Sequence, residues 1–327
     1  MKTSAIGMVL FTAGALPVFS ADAALSPFID VHVHMDKAAG EQSIEAAVNV
    51  MSLENSALYL FLPSPFAERS ASSFDIEEIQ AAARRYPNKV VALGGGGTLN
   101  PMLQEAVKAG AVSPDLERRF RDRAREIVRL GAAGFGELAV EHKPSESTPS
   151  YQTIAPDHPL LIVLADIAAE ARMPMTLHME ATQADIPQFE NLLSHNERAR
   201  IVWAHGGWDN TGLRTPELCR RLLAAHPNLY MEIKIDPKNP GQNSPLEGGA
   251  SGKLKPEWLK LFEDFPDRFV MGSDQHYPPP SAPVQRWQGI VALFNQLPAN
   301  LRRSFGVDNV RNIYRLPSEI GLTPSSH

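Results

Sequence analysis

The segment FIDVHVHMDKA, residues 28–38, is a run of β-forming residues that carries two histidines, His32 and His34, one residue apart. Side chains two apart on a strand point to the same face. The two imidazoles therefore project side by side, either as half of a metal site or as polar groups on a wet strand face. What the rest of the chain places beside them has to separate the two readings.

Counting Ile29–His34 as the first, eight apolar runs of strand length follow one another. The others are Ala57–Leu62, Val90–Gly94, Gly134–Val140, Met175–Met179, Ile201–His205, Leu229–Ile235 and Phe269–Gly272. They are nearly continuous in apolar residues, as parallel strands covered on both faces are. Helical patterns separate them, with local start and stop signals. Ser113 precedes Pro114 and Gly131 ends the same pattern; Thr215 precedes Pro216; Ser73 is a cap for a third helix. Eight strand–helix pairs predict an α/β fold, a (β/α)8 TIM barrel with its active site at the C-terminal ends of the strands. No glycine-rich dinucleotide turn follows the first strand, which weakens an open doubly wound sheet. The glycines of LGGGGTLNP, residues 93–101, lack a following Lys-Ser or Lys-Thr pair and read as part of a long flexible loop. Long loops are expected after strands two, three, four and seven, at the end where barrel sites are built. The loop after the seventh strand, rich in Gly, Pro and Ser, reads as a mobile lid.

Composition bounds the partners. The chain of 327 residues is 43% apolar with a formal charge of −6, which supplies no electrostatic case for nucleic acid or an anionic membrane. Residues 1–23 read as a signal peptide: Lys2, an apolar stretch from Ala5 to Phe19, and the small-x-small site Ala21-Asp22-Ala23. The apolar stretch is short for a membrane span, so no membrane anchor is expected after cleavage, and a periplasmic or secreted location follows. Residues 24–327 are then one barrel domain. Cys219 is the single cysteine, so no intramolecular disulfide forms, and it reads as a buried structural thiol. A homo-oligomer is compatible with the sequence.

Ionisable residues stand at the C-terminal ends of the apolar runs: His32 and His34 on the first, Glu137 on the fourth, His178 on the fifth, His205 on the sixth and Asp274 on the eighth. Singly, each has an ordinary explanation, such as a hydrogen-bonded core histidine or an N-cap aspartate. Together they place six ionisable groups at one barrel mouth, where burial needs compensation. Imidazoles and carboxylates suit Zn²⁺ and related divalent ions.

The ordered set DVHVH (30–34), GFGEL (134–138), LHME (177–180), AHGG (204–207) and GSDQHY (272–277) resembles the amidohydrolase superfamily of metal-dependent barrel hydrolases, in its amidohydrolase-related branch. The closing FGVDNVRNIYRL is also similar to that branch. The resemblance covers nearly all of residues 24–327 and is poorly specific for substrate. It implies His32, His34, His178, His205 and Asp274 as metal ligands. The fourth-strand position is often a carbamylated lysine in two-metal members; here it is Glu137, as in members resembling the TatD-type hydrolases. With two ions, Glu137 would bridge, with His32, His34 and Asp274 on one ion and His178 and His205 on the other. With one ion, His32, His34, His178 and Asp274 would bind it, and His205 would serve as proton shuttle or substrate contact.

The expected reaction is hydrolysis of an ester, lactone, amide or phosphoester in a small-molecule substrate, with Asp274 as general acid and base. Lys234 in MEIKID is a candidate for a substrate anion, against the reading of a solvated surface lysine. Trp208, Asp209, His276 and Tyr277 are weaker pocket candidates. Asp30, read as one pleat deeper on the histidine face, is expected to orient an imidazole. One alternative is a mononuclear non-oxidative decarboxylase of the same branch, which needs no bridging glutamate. An exported solute-binding protein would show two lobes. An exported nuclease lacks a basic stripe to hold the backbone.

Overall fold

The computed structural model describes residues 27–141, 152–235, 246–247, 252–277 and 286–317. The expected signal peptide and most of the expected lid lie outside the described residues.

The chain opens with β1 (Phe28–Met35), α1 (Glu41–Glu54), β2 (Ser56–Phe61) and α2 (Ile76–Ala83). Strands β3 (Val90–Ala92) and β4 (Gly94–Gly95) lead to α3 (Leu99–Ala109) and α4 (Pro114–Arg129). Then come β5 (Phe135–Glu141), α5 (Pro159–Ala171), β6 (Pro174–Met179), α6 (Asp185–His195), β7 (Arg200–Trp203), α7 (Pro216–Ala225), β8 (Leu229–Ile233) and α8 (Pro256–Asp264). Strands β9 (Phe269–Met271) and β10 (Gln275–Tyr277) precede α9 (Trp287–Phe294), α10 (Ala299–Arg303), a π-helical turn over Ser304–Asp308 and α11 (Asn309–Tyr314).

All strand pairs are parallel, in the orders β10-β1-β2-β3 and β4-β5-β6-β7-β8-β9. The two sheets share two continuous segments. Leu93 donates its N–H to Phe61 while Gly94 donates to Gly134, so the third strand bonds one neighbour with each half. Gly272 donates to Ile233 and Asp274 donates to His32, so the eighth does the same. The eight expected strands thus form the (β/α)8 barrel. The two lobes of a solute-binding protein have no counterpart among the described residues.

Alternation along the strands sorts the core. Tyr59, Phe61, Ile201, Trp203, Met231 and Ile233 face the helices, while Leu58, Leu60, Leu62, Val202 and Val270 form a second buried cluster with Val310, Ile313 and Tyr314. Helix α11 therefore closes one end of the barrel and leaves the other for chemistry. Cys219 is buried in the helix-facing cluster, and burial pushes its thiol up to about 12, as befits a structural residue.

Two local expectations change. Asp75, not Ser73, caps α2: it forms a capping box with Glu78 and also accepts the Gly95 N–H at 2.7 Å. The stretch after the glycine run is a helix, α3, rather than loop. Its Pro101 falls in the first turn, where a missing N–H costs no helical bond. The Ser113–Pro114 and Thr215–Pro216 starts form as read, each hydroxyl accepting an N–H three residues on.

Candidate metal centre

The mouth of the barrel gathers His32, His34, Glu137, His178, His205 and Asp274. A register shift between Asp30 and Val33 turns both histidines of β1 inward. His178 comes from regular alternation in β6, beside Thr176 on the same inner face. His205 and Asp274 lie past their strands, in the left-handed region at φ 60° and 56°. Non-glycine residues hold that conformation at a cost, and such strain concentrates at functional sites.

The hydrogen bonds fix the histidine tautomers. His34 Nδ1 lies 3.0 Å from the Leu62 carbonyl, which only accepts, so Nδ1 carries the proton. His32 Nδ1 lies 2.8 Å from Glu232 Oε2, and the same logic applies. Both Nε2 lone pairs then face each other at 3.0 Å. Glu137 Oε2 stands 3.5 Å from each Nε2, and Asp274 Oδ1 stands 3.4 Å from that of His34 and 3.9 Å from that of His32. With both rings neutral, four acceptors would converge with no hydrogen between them, an arrangement that calls for positive charge, either protons or a cation. Ligands about 2.0–2.1 Å from a tetrahedral ion lie about 3.3 Å apart, close to these separations.

The other oxygen of Glu137 serves the second pair. Oε1 is 2.9 Å from His178 Nδ1 and 2.9 Å from His205 Nε2. If His205 donates from Nε2, its buried Nδ1 has no hydrogen-bond partner. With a cation on Nε2, the proton moves to Nδ1, which faces Glu232 Oε1 at 3.5 Å. Several overlapping groups of three ligand atoms, each within 4.8 Å of one another, fit a divalent cation: His32–His34–Glu137 and Glu137–His178–His205 share Glu137, while His32–His205–Asp274 and His34–Asp274–His276 share Asp274.

Charge follows the same pattern. Burial opposes ionisation of Glu137, but His32, His178 and His205 hold its carboxyl well below the usual range. Burial alone would depress His32, yet Glu232 and Glu137 raise it well above the ordinary imidazole value; Asp274 and Glu137 raise His34 likewise. Burial raises Asp274 less than Lys234 and Arg286 lower it. The ion-free cluster thus holds protons near pH 7 that a divalent ion must displace. Ion binding should release protons at pH 7, with affinity rising as pH climbs through the raised imidazole values and falling below them. Calorimetric titration of Zn²⁺ in two buffers of different ionisation enthalpy reads this; identical heats at pH 7 would refute it.

Glu232 is the residue that sequence reading missed. Fully buried, it touches an imidazole of each pair, His32 and His205. Gly272 makes room for it, since a Cβ there would lie 2.4 Å from the Glu232 carboxyl carbon. The available signal was a lone acid between Met231 and Ile233 in an apolar strand. Asp30 does not take the role expected of it. After the register shift its carboxylate accepts the N–H of His32 at 3.1 Å and of Ser273 at 2.9 Å, bracing two strand ends instead of an imidazole. Burial pushes it up to about 6. Glu232→Gln should weaken divalent-ion binding about 10- to 100-fold with the fold intact, because His32 loses the carboxylate that raises its basicity. Competitive chelator titration measures it, and unchanged affinity would remove Glu232 from this role.

Lys234 is not a solvated surface lysine: its Nζ donates to Asp274 Oδ2 at 2.8 Å. Arg286, also missed, binds the same oxygen and the Asp274 carbonyl. His276 stacks on His34, with ring centroids 4.5 Å apart and Nε2 3.9 Å from Asp274 Oδ1. Loss of hydration against the His34 ring and the His34 charge push it below the ordinary imidazole value, with its half-exposed side chain limiting the shift. Trp208 is half-buried in the turn after His205, its N–H donating to the His205 carbonyl. That turn crosses the end of β8 so closely that a Cβ at Gly207 would fall 1.1 Å from the Lys234 carbonyl oxygen. Asp209 accepts from Thr211 and from the Arg214 N–H, holding the turn's shape. Tyr277 is buried against Tyr59 and belongs to the core.

Fold and site together define a parallel α/β barrel whose mouth is built to hold positive charge. The chain belongs to the amidohydrolase family, whose model matches residues 29–316. Among solved structures it is similar to a dihydroorotase from Campylobacter jejuni at 16% identity, covering 90% of this chain and 85% of that one, with a TM-score of 0.55. It is similar to a probable 2-pyrone-4,6-dicarboxylic acid hydrolase from Acinetobacter baumannii at 12% identity, 88% and 99% coverage and a TM-score of 0.54. An uncharacterized TIM-barrel protein from Bordetella bronchiseptica aligns at 12% identity, 89% and 99% coverage and a TM-score of 0.53. At these identities the likeness is one of fold. No curated protein matches the chain.

Proposed function

We propose that this protein is an exported hydrolase that uses divalent metal, zinc foremost, to cleave an ester, lactone, amide or phosphoester bond in a small molecule. The observation that carries this reading is the position of Glu137. Its Oε1 faces His178 and His205, and its Oε2 faces His32 and His34. A one-ion decarboxylase would leave such a carboxylate aside. In the proposed enzyme, His32, His34 and Asp274 would hold one ion and His178 and His205 a second, with Glu137 shared between them. His205 is then a ligand, and the shuttle role belongs to the one-ion arrangement. Bound divalent ions supply Lewis acidity and lower the pKa of a water at the site.

The protein's own groups divide the remaining work. Asp274 Oδ2 is tied to Lys234 and Arg286, so Oδ1 is directed at the cluster, where it can take a proton and return it to the leaving group. Glu232 and the Leu62 carbonyl hold the His32 and His34 rings in one tautomer. Export rests on residues 1–23.

Elemental analysis of protein purified without chelator, with an ester, lactone and amide panel on wild type and Asp274→Asn, tests the reading. Two divalent ions per chain and hydrolysis abolished in the variant are expected. A protein without stoichiometric divalent ion, or one whose activity survives Asp274→Asn, overturns it.

A further inference from the structure

Asp274 Oδ2 has two cationic partners, and one carboxylate neutralises only one of them. Lys234 lies one residue past β8, on the face that Glu232 occupies one pleat deeper. Its ammonium group is mostly buried and, among the described residues, Asp274 is its single side-chain partner. Arg286 enters from the other side, at the start of α9. Among the described residues its guanidinium contacts run through Nη1, to the carboxylate and carbonyl of Asp274, while its main-chain N–H is held by Gln275 Oε1 at 2.7 Å. Nη2 and Nε are left over on a side chain 41% exposed. A mostly buried ammonium and a half-exposed guanidinium edge thus meet beside the reactive cluster with, among the described residues, one carboxylate between two positive charges. Such a pair matches the two oxygens of a carboxylate or of a phosphate.

We propose that Lys234 and Arg286 form an oxyanion-binding subsite, and that the substrate is an acid whose carboxylate or phosphate group is seated there with the scissile bond over the histidine cluster. The inference rests on the hydrolase reading of that cluster and adds the substrate class. Lys234 fixes the inner oxygen through a point charge, and Arg286 receives the outer one on its free edge. Neutral analogues of the same substrate leave both cations unmatched and bind poorly.

The test uses malonate and inorganic phosphate as separate calorimetric probes, at low ionic strength, on zinc-loaded and on chelator-treated protein. Wild type is expected to bind at least one probe, and which one identifies the oxyanion. Lys234→Met and Arg286→Gln should each weaken that binding about tenfold or more, while Lys234→Arg retains it. Thermal melts and zinc content of each variant show that fold and ions persist. Equal binding by wild type and both charge-removing variants overturns the subsite, because the anion then sits on the ions alone; so does wild type that binds neither probe. Wild type that binds no zinc overturns the hydrolase reading separately, and the variant comparison still decides the subsite.

Discussion

The Glu137→Gln variant should retain at most one divalent ion per chain where two are expected in wild type, with the affinity for that ion reduced by more than about 100-fold. Gln has the shape of Glu, so the packing between β5 and β6 has no reason to change. What changes is charge and donor count. One oxygen now within 2.9 Å of His178 and His205, or the one 3.5 Å from His32 and His34, becomes an amide nitrogen that repels a cation. The remaining oxygen is neutral and serves only one pair. Elemental analysis together with thermal melts reads the result: ion content falls while the fold persists. A variant that still carries two ions would show that Glu137 does not bridge, and would return the site to the one-ion arrangement.

The largest loss of stability is expected from Arg214→Met. Arg214 is 2% exposed and stacks on Trp203, with its guanidinium carbon 4.3 Å from the ring centroid. It donates to the carbonyls of Met179 at 2.5 Å and Trp208 at 3.0 Å and to that of His205. Those carbonyls end β6 and form the turn after β7, where they cannot pair with a neighbouring strand. Methionine fills much of the volume and supplies no donor. The Met179 carbonyl keeps the Trp203 indole N–H at 2.8 Å and the His205 carbonyl keeps the Trp208 N–H at 2.8 Å, so the Trp208 carbonyl is the one that loses its donor. A stranded buried carbonyl costs about 1–3 kcal/mol, and with the weakened bonds at the other two a loss of about 2–4 kcal/mol and a Tm lower by about 5–10 °C are expected. Denaturant unfolding of both proteins measures it. A loss below about 1 kcal/mol would mean that water replaces the guanidinium. Because two of the carbonyls adjoin His178 and His205, ion affinity should fall as well.

Much of this protein is legible in order along the chain. Strand runs, the helix starts at Ser113 and Thr215, and the ionisable residues at the run ends depend on neighbours within a few positions. That is why the eight-strand barrel and the set His32, His34, Glu137, His178, His205 and Asp274 can be read from composition and spacing. Helix α3 escaped because a glycine run and Pro101 look like loop until the proline is placed in a first turn. Asp30 escaped because alternation counts residues, and a register shift within β1 broke the count.

The remaining features depend on approach between distant segments. His32 and Glu232 are 200 residues apart and meet at 2.8 Å. A lone acid in an apolar strand marks Glu232 as unusual, but no local pattern names the imidazoles it meets. The same holds for Arg286 on Asp274 and for Arg214 beneath the His205 turn. The sequence by itself determined which ionisable groups stand at the ends of the strand runs, since strand periodicity is local. Closure of the barrel alone decided which lone pairs face each other, which cations they meet and which oxygen of Glu137 serves which histidines, since those are distances through space.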